Sequence, residues 1–210
     1  MLLQVAIDRV DVETATAMVD RLHGLADIVE IGTSLIKDFG LRESVGKIKR
    51  RHPGQVLLAD IKTIDEGEYE FSRAYEAGAD IATVMGGSSM ATISACRKVA
   101  REFGRDYMID LLEVDADRRD RLREFDDAIF CVHLSTDAGA DGLDAMLAEA
   151  GRAMSGSGRL AGAGGVTLGT LDGMRAAGFG IAVVGGAITK AADMALAASE
   201  FNQRAHKGDI

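Results

Sequence analysis

Eight short apolar, β-branched-rich runs recur along the chain, each separated from the next by a stretch of helical periodicity, and this alternation limits the possible folds more than any other feature. The runs are Leu2–Ile7, Ile28–Ile31, Val56–Asp60, Ile81–Val84, Tyr107–Leu111, Ala128–Val132, Leu160–Ala163 and Ile181–Val184. Between the first two, Val12–Leu22 places Ala15, Met18, Val19 and Leu22 on one helix face, with Asp11 ahead of it as the expected N-cap. The apolar positions between Ser72 and Ala79 fit another helix face that ends at Gly78, and Gly104 and Gly178 precede later strands in the same way. The spacing of about 20–30 residues could signal a solenoid, but no consensus recurs from unit to unit. Eight distinct βα units in 210 residues predict a single (β/α)₈ barrel domain over residues 1–210. The alternative, a doubly wound open sheet, would carry Gly-x-Gly-x-x-Gly after the first strand, where this chain has Asp8.

Composition removes several classes of partner. A formal net charge of −9 argues against nucleic acid or an anionic membrane, both of which need a basic face. A phosphorylated small molecule remains compatible, because backbone N–H groups can bind it inside an acidic protein. The 25 glycines accompany a single proline, Pro53, in a chain that is 47% apolar, which points to tight turns rather than disorder. Cys96 and Cys131 show no metal-type spacing. The first residues lack the basic and long apolar segments of a signal peptide, and no apolar run approaches the ~20 residues of a membrane span. The expectation is a cytoplasmic protein with two free thiols.

A parallel barrel builds its active site at the C-terminal ends of its strands. Those ends carry Asp8, Glu30, Asp60 with Lys62, Gly86-Gly87, Asp110, His133, Gly164-Gly165 and Gly185-Gly186. Asp60 and Lys62 lie two residues apart, which on a strand turns both toward the interior. They form either a structural ion pair or a site where Lys62 supplies positive charge to a developing oxyanion. Glu30 either bonds a neighbouring strand or joins Asp60 in a hard-oxygen site suited to Mg²⁺. His133 closes the apolar run Ile129-Phe130-Cys131-Val132 and is either a satisfied core histidine or a general base. The glycine pairs near the last two strands serve turn geometry or bring backbone N–H groups to a phosphate. With no Arg or Lys nearby in those loops, such binding would be mostly through backbone amides and the helix dipole. Asp110 is a further inward carboxylate, and Cys131 reads as core. His23, His52 and His206 look incidental.

The pattern Asp60-x-Lys62-x-x-Asp65 resembles the hallmark of the orotidine 5′-monophosphate decarboxylase suprafamily. The likeness covers nearly the whole chain. It takes in Gln4-Val5-Ala6-Ile7-Asp8, Val29-Glu30-Ile31-Gly32-Thr33, Ala59 through Glu70, Cys131-Val132-His133, Ala163-Gly164-Gly165 and Val184-Gly185-Gly186-Ala187-Ile188-Thr189. Within the suprafamily the chain is similar to the 3-hexulose-6-phosphate synthases, with the 3-keto-L-gulonate-6-phosphate decarboxylases as the nearest alternative. The resemblance implies that Glu30 and Asp60 bind Mg²⁺ and that Lys62 stabilises an enediolate oxygen. It implies that His133 moves protons at the reacting carbon and that Asp65 reaches the neighbouring active site of a homodimer. Gly164, Gly165, Gly185 and Gly186 would hold a sugar phosphate, and Asp8 and Asp110 would contact its hydroxyls. The implied reaction is the reversible aldol addition of formaldehyde to D-ribulose 5-phosphate. A non-catalytic sugar-phosphate-binding barrel would not need a base and a metal site together. Three positions separate the two enzyme groups. The decarboxylases carry Arg three residues after the histidine, Thr before the phosphate glycines and Glu in the fifth-strand motif; this chain has Thr136, Ala163 and Asp110. Leu134-Ser135-Thr136-Asp137 and Met85-Gly86-Gly87 depart from the pattern.

Overall fold

Strands β1 (Leu2–Ile7), β2 (Ile28–Ile31), β3 (Val56–Thr63), β4 (Ile81–Met85), β5 (Asp106–Asp110), β6 (Ile129–His133), β7 (Arg159–Ala163) and β8 (Ile181–Val184) pair in parallel in chain order. Strand β8 pairs back with β1, with Leu2 opposite Ile181, and closes the barrel expected from the alternation. The structure, a computed structural model, describes residues 1–134, residue 154 and residues 159–207. Around the barrel lie α1 (Val12–Leu22), α2 (Thr33–Leu41), α3 (Lys47–Arg51), α4 (Gly67–Glu76), α5 (Met90–Phe103), α6 (Ala116–Leu122), α7 (Leu171–Ala176), α8 (Gly186–Thr189) and α9 (Met194–Ala205). Thr136, one of the three positions that separate the two enzyme groups, falls outside the described residues, as does Ser135-Thr136-Asp137 as a whole.

Local chemistry explains the element ends. Asp11 caps α1 by accepting from the Thr14 N–H at 2.6 Å. Ser89 caps α5 through Thr92 N in the same way, at 3.0 Å. Helix α4 stops at Glu76, two residues short of the expected glycine, and Gly78 follows at φ 101° to turn the chain into β4. Gly67 opens α4 where a Cβ would lie 2.8 Å from both Cys96 Sγ and Thr92 O, so it lets α4 pack closely against α5.

Alternation along each strand separates two apolar layers. Leu3, Val5, Val29, Leu57, Ile109 and Phe130 face outward and pack with helix residues such as Val19, Leu35, Phe71 and Ile93. Ile28, Leu58, Ile81, Met108, Ile129 and Ile181 fill the barrel interior. Each large aliphatic side chain so buried contributes about 1.5–3 kcal/mol. Two residues further along several strands the interior turns polar: Ile28 gives way to Glu30, Leu58 to Asp60, Ile81 to Thr83, and Met108 to Asp110. The apolar half of the barrel thus forms a rigid floor, and the polar half opens at the C-terminal end. Among the described residues no helix is long and apolar enough to cross a membrane.

Candidate active site

The site begins with an irregularity in β3. This strand runs three residues past its expected end, and its register with β4 shifts between Ala59 and Thr63. Lys62 sits at the bulge with φ 48°, in the left-handed region that L-residues seldom adopt. The Lys62 N–H donates to Thr83 Oγ1 at 2.9 Å, which holds the backbone there. Simple two-residue alternation therefore does not describe how Asp60 and Lys62 come to share the interior; the bulge re-aims the lysine. The outcome is as expected, with Lys62 Nζ 3.3 Å from Asp60 Oδ2.

Asp110 links Lys62 to the histidine. Its Oδ2 accepts from Lys62 Nζ at 2.7 Å and lies 2.9 Å from His133 Nδ1, while its Oδ1 accepts from the Leu112 N–H at 2.9 Å. With both oxygens engaged and a side chain only 4% exposed, Asp110 orients two other groups rather than standing open to a ligand hydroxyl. Burial works to raise the Asp110 pKa, but the His133 hydrogen bond and the Lys62 charge outweigh it and hold the carboxyl at about 2. An ionised carboxylate can only accept, so His133 Nδ1 carries the proton and Nε2 is left as the basic nitrogen. Burial would lower the Lys62 pKa, yet the charges of Asp60 and Asp110 raise it well above the ordinary lysine value. The ammonium is therefore a fixed positive charge.

Deeper in the barrel, Asp60 is held on three sides. Thr83 Oγ1 donates to its Oδ1 at 2.9 Å, Thr33 Oγ1 donates to its Oδ2 at 2.7 Å, and Lys62 lies alongside. Glu30 takes a 2.6 Å hydrogen bond from Gln4 Nε2. Burial, reinforced by the charge of Asp60, pushes the Glu30 carboxyl up to about 8. Glu30, Asp60 and Asp110 thus lie around one fixed cation, and the crowding of acidic groups in a buried place is what makes the Glu30 carboxyl hold its proton until a cation can replace it. Two hard-oxygen donors in an acidic pocket fit a divalent cation that completes its shell with water and ligand oxygens. Among the described residues no group of three or more His, Cys, Asp or Glu side chains is arranged to hold a metal unaided. Cys131 is 4% exposed and its thiol is pushed far up by burial, with the charge of Asp110 adding to the effect, so it belongs to the core as expected.

The remaining sequence candidates line the rim. Asp8 is exposed, its Oδ1 accepts from Ser34 Oγ at 2.9 Å, and Gly32 makes room for it: a Cβ there would lie 2.1 Å from Asp8 Oδ1. Gly164 and Gly165 adopt φ 93° and 70°, and a Cβ on Gly164 would meet Leu134 O at 2.3 Å. Gly185 and Gly186 lead into α8, whose first turn bonds Ile188 N back to Gly185 O at 3.0 Å. The sequence expectation here was mostly backbone recognition, with no Arg or Lys nearby. The Lys190 side chain folds back over Gly186, with Cδ 3.6 Å from where a Cβ would lie, and brings a cation to this loop. Asp65 is exposed and, among the described residues, its side chain bonds the adjacent Glu66 N–H at 2.8 Å rather than joining the Asp60–Lys62–Asp110–His133 cluster of its own chain. Gly86 serves the scaffold: its N–H donates to Asp110 O at 2.8 Å, and its carbonyl accepts from Arg118 Nε at 2.8 Å.

Residues 1–201 match the sequence profile of the orotidine 5′-phosphate decarboxylase / HUMPS family. The chain belongs to that family. This family member is 36% identical over 206 residues to the 3-hexulose-6-phosphate synthase of Mycobacterium gastri, across 96% of this chain and 98% of that one. A solved 3-hexulose-6-phosphate synthase from Salmonella typhimurium superposes with a TM-score of 0.91 at 31% identity, over 99% of each chain. A KGPDC from Streptococcus mutans, solved with a bound ligand, gives a TM-score of 0.89 at 22% identity over 98% of this chain and 97% of that one, a likeness of fold. The barrel and the family expected from Asp60-x-Lys62-x-x-Asp65 are thus both borne out. Thr33, Thr83, Gln4 and Lys190 are the site residues that motif reading passed over. Thr83 and Gln4 were open to detection as polar residues at inward positions of apolar strands.

Proposed function

We propose that this chain catalyses the reversible aldol addition of formaldehyde to C1 of D-ribulose 5-phosphate, giving D-arabino-hex-3-ulose 6-phosphate. The observation that carries the chemistry is the single Asp110 oxygen that holds both a lysine ammonium and a histidine at the barrel mouth. The synthase names of relatives at 31–36% identity over nearly the full length support the substrate assignment.

In this reading His133 Nε2 removes a proton from C1 of the ribulose, and the electron pair moves into an enediolate. Lys62 stabilises the developing negative oxygen, an electrostatic contribution preorganised by Asp60 and Asp110. C1 of the enediolate attacks the formaldehyde carbon, a C–C bond forms, and the new alkoxide takes up a proton. Cleavage runs through the same intermediate in reverse. Glu30 and Asp60 would hold Mg²⁺, which when bound supplies further positive charge beside the reacting oxygens. Asp8 would bond a sugar hydroxyl. The N–H groups around Gly164, Gly165, Gly185 and Gly186, with Lys190 beside them, would take the phosphate.

The same reading makes the protein a homodimer in which Asp65 serves the neighbouring site. Ile64 and Tyr69, which flank Asp65, are 62% and 64% exposed. Beside them lies a groove of about 790 Å³ whose lining includes Phe39, Leu41, Ile61 and Tyr69. An exposed apolar patch of this kind next to a motif carboxylate with no role in its own site suits a second copy of the chain.

Purified protein with Mg²⁺ should consume formaldehyde in the presence of ribulose 5-phosphate and exchange the C1 proton with solvent. Lys62→Ala and His133→Ala should each abolish exchange while leaving the circular dichroism spectrum intact. Release of CO₂ from 3-keto-L-gulonate 6-phosphate without formaldehyde turnover would assign the decarboxylase activity instead.

A further inference from the structure

One polar side chain in the barrel interior is left unused by the proposed chemistry. Gln4 on β1 is 1% exposed and sits in register between Ile28 on β2 and Val183 on β8, both apolar. Its Nε2 donates to Glu30 Oε2 at 2.6 Å, whereas its own Oε1 is buried with no hydrogen-bond partner among the described residues. A buried unpaired carbonyl costs about 1–3 kcal/mol, and an apolar side chain of similar size would avoid that cost. The bond to Glu30 is what an amide provides here and a hydrocarbon would not.

The two acidic side chains at the candidate cation site are supported unequally. Asp60 is held by Thr33, Thr83 and Lys62, so loss of one partner leaves two. Among the described residues the Glu30 carboxylate has Gln4 as its hydrogen-bond partner. That bond engages Oε2, restrains the carboxylate from one side and leaves Oε1 available to a ligand.

We propose that Gln4 is a positioning residue for divalent-cation binding, holding Glu30 through one oxygen so that the other points into the site. The proposal rests on the reading of Glu30 and Asp60 as the cation's ligands. Hydrogen bonds behind a ligating side chain commonly change metal affinity by about 10–100-fold.

The experiment is a Mn²⁺ titration of metal-free protein, with free Mn²⁺ read by electron paramagnetic resonance and Mg²⁺ added as competitor. Gln4→Met keeps the volume and removes the donor. Gln4→Asn keeps the amide but withdraws it by one methylene, and is read in parallel should the first variant not fold. Both should weaken Mn²⁺ binding by about tenfold or more, while thermal melts report the fold independently. Folded variants that bind Mn²⁺ within about twofold of wild type, a difference under ~0.4 kcal/mol, would overturn the role of Gln4. Glu30→Ala separates the two readings. If it binds Mn²⁺ as wild type does, the cation-ligand assignment itself is wrong and the Gln4 proposal falls with it. If it loses Mn²⁺ while Gln4→Met and Gln4→Asn retain it, only the positioning role is lost.

Discussion

Asp110 and His133 meet at the mouth of the barrel with 2.9 Å between Oδ2 and Nδ1, and the same oxygen also receives Lys62 Nζ. One carboxylate therefore sets the tautomer of the base and the direction of the ammonium. In Asp110→Asn the amide keeps the shape but loses the charge, and its NH₂ face cannot accept from either partner. Exchange of the C1 proton of ribulose 5-phosphate should fall by about 10²–10⁴-fold, the scale of a general base's contribution. KM for the sugar phosphate should change far less, since both Asp110 oxygens already hold groups of the protein. An unaltered exchange rate would show that His133 is oriented by something else.

Glu30 gives a pH dependence of known sign. Its folded-state pKa is raised to about 8 from an ordinary 4.5, chiefly by burial, so between those values the folded chain holds a proton that the unfolded chain has released. Stability from this group is full below the unfolded pKa and is lost as pH rises toward the folded one. In EDTA, Glu30→Gln should therefore gain stability relative to wild type on going from pH 5 to pH 8, by an amount on the order of a few kcal/mol. Denaturant midpoints of the two proteins measured across that range provide the check; parallel curves would mean that Glu30 titrates normally.

Two of the rim glycines, Gly32 and Gly164, should respond differently to alanine. At Gly32 the added Cβ meets the Asp8 carboxylate, a side chain that can swing away at the cost of its Ser34 bond. At Gly164 it meets the backbone carbonyl of Leu134 in a residue already at φ 93°, where nothing can move cheaply. Gly164→Ala should cost about 1–3 kcal/mol and Gly32→Ala less than about 1 kcal/mol, measured by denaturant unfolding. Gly32→Ala should instead raise KM for the sugar phosphate several-fold through the displaced Asp8. The reverse order of stability losses would contradict the close approaches described.

The barrel could be read from the chain because both of its periodicities are local. Inward Ile28, Leu58 and Ile81 alternate with outward Val29, Leu57 and Ala82 over runs of four or more residues, and capping by Asp11 is decided within three residues. The charged strand ends were equally visible, since Glu30, Asp60 and Asp110 each interrupt an apolar run. What the chain did not show was which of these groups touch. Asp110 read locally as an inward carboxylate, to which the resemblance added a substrate contact; nothing local reveals that Lys62 and His133, 48 and 23 residues away, take the same oxygen. The β3 bulge was hidden for a related reason: the bond that holds it, from Lys62 N to Thr83, reaches the next strand. Lys190 escaped notice because it lies four residues beyond Gly186, at the far end of the short helix that folds it back.

Asp65 offers the most direct test of the assembly. Its carboxylate bonds its own chain at Glu66 N and stays out of the Lys62–Asp110–His133 cluster, so a catalytic part for it requires a second subunit. Lys62→Ala and Asp65→Ala should each be inactive alone. When the two are unfolded together and refolded as a mixture, half the dimers are mixed, and each mixed dimer has one site with both an intact Lys62 and an intact Asp65. The mixture should recover about a quarter of wild-type activity, the value that random pairing of two subunits about a twofold axis dictates. Sites complete within one chain would give no recovery, because every site would then carry one of the two lesions. Sedimentation of Tyr69→Glu provides the matching physical measurement. A charge placed on the exposed ring beside Asp65 should shift the protein toward monomer and reduce activity in parallel, whereas a monomer with full activity would remove Asp65 from the reaction.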